Sequence, residues 1–179
     1  MKQQFSPYSN WKPKEPQAVT PGNMAAAPEQ KAAMPAQPRE IPSVLKHKGI
    51  PLPDNYVDIA EARIQEMKAA TDSDRRIKVI TSTKLRNLFG LFSDVYNQCL
   101  RMDSNELSAE QIAALRSARV RIVYECGREE TVQQFVEKTD ILRYLYDIGS
   151  NREKLINYYH YLEALVAYAR FCHLVRDEK

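Results

Sequence analysis

All ten prolines of this chain lie at or before Pro53, and residues 54–179 contain none. Proline lacks a backbone N–H and clashes inside a helix, at about 3 kcal/mol, so a long proline-free stretch is open to helices throughout. Glycine is almost as scarce there, with only Gly90, Gly127 and Gly149. No Asn-Gly or Asp-Gly turn and no long alternating β-branched run argues for strands. The expectation is an all-α fold: a compact bundle of about five antiparallel helices joined by short loops.

The first 53 residues have a different composition, rich in Pro, Ala and Gln. They read as a disordered, mildly basic tail (1–53) ahead of a helical bundle domain (54–179). Residues 1–40 in particular hold too few branched aliphatics to offset the entropy of ordering. Phe5, Tyr8 and Trp11 form an aromatic cluster near the tip, either stray or a docking motif for a partner. Ile41-Pro-Ser-Val-Leu45 and Ile50-Pro-Leu52 read as extended chain along the domain surface.

The net charge of +3 hides a split. Residues 1–53 carry seven bases and three acids; the remainder carries nineteen bases and twenty acids. The folded part is therefore not a globally basic nucleic-acid binder, and any such site on it must be local. Cys99, Cys126 and Cys172 show neither paired nor metal-ligand spacing and read as small buried apolar residues. No apolar leader opens the chain, and no run approaches the ~20 apolar residues needed to span a bilayer. A soluble cytoplasmic protein is expected.

Helical periodicity places five helices. The first spans about 55–70, capped by Asp54, with Val57, Ala60, Ile64 and Met67 inward. The second spans about 83–102 on a stripe of Leu85, Leu88, Phe89, Phe92, Val95, Tyr96 and Cys99, with Gly90 tolerated through some close neighbour. The third starts at a Ser108/Gln111 capping box and is apolar on most sides, which predicts a central place. Arg119 shares its buried stripe and needs a partner, Glu125, Glu129 or a ligand anion. Gly127 ends or kinks it. The fourth runs from Arg128 towards Gly149 through Val132, Phe135, Val136, Leu142 and Leu145. The fifth spans about 151–175, and Tyr144, Tyr146, Tyr161 and Tyr168 exceed one core face. Tyrosines of that kind serve either edge-of-core packing or a protein contact.

Chemistry is hard to nominate. No HExxH, no Cys/His ligand set and no phosphate-cradling Gly-rich loop occurs, and His47, His160 and His173 are too dispersed for one site. No catalytic residue, cofactor or metal is expected. What stands out is Thr81-Ser-Thr-Lys-Leu-Arg-Asn-Leu-Phe89. Hydroxyls open a helix and two cations follow in its first turns, although the positive end of a helix favours acids. Free N–H groups, hydroxyls and bases together suit an anion. Arg75, Arg76 and Lys78 extend the cluster, giving five bases and no acid from Arg75 to Arg86. Arg128, opening the fourth helix, repeats the oddity.

Three segments carry a resemblance: the one just quoted, Arg119-Val-Arg-Ile-Val-Tyr-Glu-Cys-Gly-Arg-Glu129, and Tyr161-Leu-Glu-Ala-Leu-Val-Ala-Tyr168. In order and spacing the chain, over about 55–170, resembles the small subunit of the type III-A CRISPR effector, the Csm complex. The resemblance implies a non-catalytic bundle for antiviral defence. Several copies would stack head to tail beside the guide-RNA backbone subunits and the large subunit, lining the groove where guide RNA and target RNA pair. It implies RNA contacts from Lys84 and Arg86 with Thr83 and Asn87 beside them, and a second basic edge of Arg119, Arg121 and Arg128 with Tyr124 between. A helical protein–protein adaptor, binding through the tyrosines of the fifth helix, is the alternative.

Overall fold

The computed structural model describes residues 48–74 and 79–176. The expected tail over residues 1–40, its aromatic cluster, the 41–45 segment, His47, and Arg75, Arg76 and Lys78 lie outside the described residues. Within them the chain forms α1 (Tyr56–Ser73), α2 (Ser82–Cys99), α3 (Ala109–Arg128), α4 (Glu130–Lys138), α5 (Ile141–Asp147) and α6 (Arg152–Phe171). Extended pairing among the described residues is limited to two isolated bridges, Thr81 with Arg176 and Glu106 with Asn151. The all-α expectation holds.

The helix starts follow from local chemistry. Thr81 caps α2 by accepting from the Lys84 N–H, Ser108 and Gln111 close a reciprocal capping box on α3, and Asn151 accepts from the Lys154 N–H at α6. The first helix departs from expectation. Its cap position is Asn55, with no side-chain cap bond, so Asp54 does not cap it.

The helix count also departs, because the expected fourth helix is two. Asp140 adopts a left-handed conformation (φ 53°) between α4 and α5. The Thr139 hydroxyl donates to the Phe135 carbonyl, and the Tyr161 hydroxyl donates to the Thr139 carbonyl at 2.6 Å. The break is thereby held by α6, which sequence periodicity over residues 130–147 does not reveal.

α6 packs against α1, α2 and α5, whereas α3 packs against α2, α4 and α5. Because α6 has neighbours on several sides, Tyr158 and Tyr161 are fully enclosed and Tyr144 is buried. Tyr144 and Tyr161 stack edge to face, 5.2 Å between centroids. The surplus tyrosines at these two positions are thus core, not partner surface. α3 also touches three helices, yet Val120 and Tyr124 are 65% and 64% exposed, so part of its apolar excess faces outward.

Gly49 and the chain after α6 fix the edges. A Cβ on Gly49 would lie 2.8 Å from the Asp147 nitrogen and 2.9 Å from the Tyr146 carbonyl carbon, so the segment entering α1 lies hard against the end of α5. Past α6, the Ser82 N–H donates to the Arg176 carbonyl, and Arg176 donates to Ile80. The start of α2 is therefore clamped by the far end of the chain.

Cys99 and Cys126 are buried and free, and burial pushes the Cys126 thiol up to about 12. Cys172 is only partly covered. The Tyr158 hydroxyl is buried and, among the described residues, has no hydrogen-bond partner. An unsatisfied buried hydroxyl is destabilising, so Tyr158→Phe is expected to stabilise by about 1 kcal/mol. Tyr161→Phe, which loses the bond to Thr139, is expected to destabilise by a similar amount. Urea unfolding of the two variants checks the opposite signs; equal losses would show that Tyr158 has a partner.

Candidate nucleic-acid interface

The first turns of α2 and the outward face of α3 form the walls of a groove of about 830 Å³. α2 supplies Lys84, Arg86, Asn87 and Gly90 to it, and α3 supplies Val120, Arg121, Tyr124, Glu125 and Arg128. These α3 positions recur at three- and four-residue spacing, which puts them on one helix face. Leu88, Leu91 and Val132 also line the groove. Among the described residues, a Cβ on Gly90 would meet nothing within 4 Å, so none of them explains that glycine by close approach; the groove is open beside it.

Six of the eight residues singled out from sequence line this groove: Lys84, Arg86, Asn87, Arg121, Tyr124 and Arg128. Thr83 and Arg119 do not. Thr83 is exposed on the first turn of α2. Arg119 lines a separate hollow with Ile112, Leu115, Arg116 and Leu145, and its guanidinium carbon lies 4.6 Å from the centre of the Tyr146 ring. It stands over an aromatic face, and among the described residues neither Glu125 nor Glu129 is ion-paired with it. Of the expected second basic edge, Arg121, Tyr124 and Arg128 line this groove and Arg119 does not.

The cations are not equivalent. Lys84 is ion-paired with Glu129, and Arg128 lies 3.1 Å from Glu125 and 3.3 Å from Glu129. Arg128 also proves to be the last residue of α3, where the helix dipole favours a cation, so its position is no oddity. Arg86 and Arg121 are exposed, and neither is ion-paired with a carboxylate among the described residues. Sequence reasoning missed the acids that answer Lys84 and Arg128. A local signal was available for one of them: Glu125 lies three residues before Arg128 on the same helix face, whereas Glu129 reaches Lys84 only through the tertiary arrangement.

Hydrogen bonding from Lys84 first, then the charges of Lys84 and Arg128, hold the Glu129 carboxyl below the usual glutamate value of 4.5, against an opposing effect of burial. A depressed carboxyl contributes stability above its unfolded value and loses it as pH falls through the folded one. The stability advantage of the wild type over Glu129→Gln is thus expected to shrink as pH falls below ~4.5. Urea midpoints across the acid range check this; a constant or widening gap would contradict it.

A sequence model of the Csm2 type III-A family matches residues 61–174, which include every element of this groove. The chain belongs to the Csm2 type III-A family. This is the family whose small effector subunit the three sequence segments resemble. Among Csm2 relatives, the CRISPR system protein Csm2 of Enterococcus italicus is 36% identical over 125 residues, covering 64% of this chain and 89% of the relative. That of Streptococcus thermophilus is 35% identical over 118 residues, covering 66% and 91%. The Mycobacterium tuberculosis Csm2 is 33% identical over 92 residues, 51% of this chain and 74% of the relative. Among the described residues no helix is long and apolar enough to cross a membrane.

Proposed function

We propose that this Csm2-family chain is a non-catalytic, RNA-contacting small subunit of a cytoplasmic type III-A CRISPR effector. Several copies stack head to tail beside the guide-RNA backbone subunit and the large subunit. The groove between α2 and α3 faces the paired guide and target RNA. Base pairing reads the sequence, while the protein holds backbone and shape. The observation that carries this reading is the open groove itself: Arg86 and Arg121, two exposed arginines without carboxylate partners among the described residues, and a largely exposed Tyr124 share one concave surface. Arginine matches phosphate oxygens through a planar fork of donors, Asn87 offers an amide, and a tyrosine face can stack on a base.

The adaptor reading loses ground because Tyr144 and Tyr161 are buried. The deciding experiment is target-RNA retention by the assembled effector carrying Arg86→Ala with Arg121→Ala. Retention is expected to fall while the chain stays folded and incorporated. Unchanged retention would overturn the assignment.

A further inference from the structure

Two of the four groove cations are already occupied. Lys84 is ion-paired with the Glu129 carboxylate, and Arg128 is shared between Glu129 and Glu125. Glu129 therefore links the first turn of α2 to the last residue of α3. Its backbone is fixed at the helix break, extended at φ −137° and ψ 117°. There its N–H donates to the Glu125 carbonyl at 2.9 Å and its carbonyl accepts from the Gln133 N–H at 3.0 Å. The pair is not deeply buried: the side chains of Lys84 and Glu129 keep 29% and 23% exposure. An incoming anion can reach it.

To an ammonium or guanidinium group, a carboxylate and a phosphate are the same kind of ligand, an anionic acceptor of charge-assisted hydrogen bonds. Both cannot occupy the same donors. We infer that Glu129 is an internal competitor for the anion in this groove, holding Lys84 and Arg128 until a nucleic-acid phosphate displaces it. This rests on the reading of the groove as a phosphate-binding surface. Arg86 and Arg121, free of carboxylates among the described residues, make the first contacts. Lys84 and Arg128 add theirs only when a strand is already held. A single phosphate or a briefly colliding strand does not gain the whole site. Glu129 thus sets a threshold on binding and is a specificity-determining residue.

Partly exposed ion pairs are weak, so the competition is modest: Glu129→Gln is expected to tighten binding roughly two- to fivefold. Because phosphate displaces Glu129 in the wild-type complex, the same phosphates are contacted in both, and the dependence of log K on log salt should change by less than the ~0.7 that one added single-strand phosphate contact would give. The experiment is fluorescence anisotropy of the full chain with a labelled single-stranded RNA, comparing Glu129→Gln, Lys84→Ala, the two combined, and Arg86→Ala with Arg121→Ala. Lys84→Ala is expected to weaken binding less than the double arginine variant and to remove most of the gain in the Glu129→Gln background. Glu125→Gln, which removes one of the two carboxylates that share Arg128 and leaves Lys84 paired, is expected to tighten binding less and keeps the proposal testable should Glu129→Gln not fold. If Glu129→Gln leaves binding unchanged or weaker while the double arginine variant weakens it, the inference fails and the groove assignment survives. If the double arginine variant binds as well as the wild type, the groove assignment fails, and the inference with it.

Discussion

Alanine at Asp140 is expected to remove about 2–4 kcal/mol of stability, as urea unfolding would measure it. Two separate effects add. The carboxylate, 11% exposed, accepts from Arg63 and from Arg143, each at 3.0 Å, and alanine leaves both guanidinium groups without it. The backbone at 140 is left-handed, a conformation that aspartate and asparagine tolerate better than alanine. The Arg143 Nε is already buried and lacks a partner among the described residues, but the side chain keeps 34% exposure, so solvent takes up part of the loss of Asp140 there. Because Arg63 keeps 38% exposure, its share is reduced by solvent. Asp140→Asn retains the backbone preference and an acceptor, and its loss should be intermediate. A loss under about 1 kcal/mol for alanine, or asparagine no better than alanine, would mean that Asp140 does not hold α1, α4 and α5 together.

The second large effect concerns binding. Arg86→Ala with Arg121→Ala is expected to weaken the affinity of the full chain for RNA on the order of tenfold at moderate salt, across sequences alike. Two lost phosphate contacts should also reduce the salt slope by about 1.4 on a single strand. Both side chains are exposed, so the thermal midpoint should hardly move. Lys84→Ala should do less, since Glu129 already neutralises Lys84. Weaker binding at an unchanged salt slope would point to a contact other than phosphate.

What the sequence makes legible here is what local chemistry decides. Thr81, Ser108 and Asn151 act as caps because a side-chain oxygen meets an N–H three residues on, with no help from elsewhere in the fold. The groove is legible for a related reason. Lys84, Arg86 and Asn87 lie in the first turns of a well-marked helix, and Arg121, Tyr124 and Arg128 share a helical phase. Features decided at a distance stay hidden. The α4–α5 break depends on Arg63 and Tyr161, from α1 and α6. Arg119 finds Tyr146, a residue from α5 that no spacing rule connects to α3. Val120 is the instructive failure: an apolar residue on an apolar helix reads as buried, and only the tertiary arrangement leaves it on the wall of an open groove.

The most direct test of the central claim is a crosslink. In the assembled effector with target RNA bound, ultraviolet irradiation followed by tryptic mass spectrometry should place a nucleotide adduct on the peptide 122–128, which carries Tyr124 between Arg121 and Arg128. Adducts confined to α1 or α6, or none on this chain while RNA is bound, would contradict it.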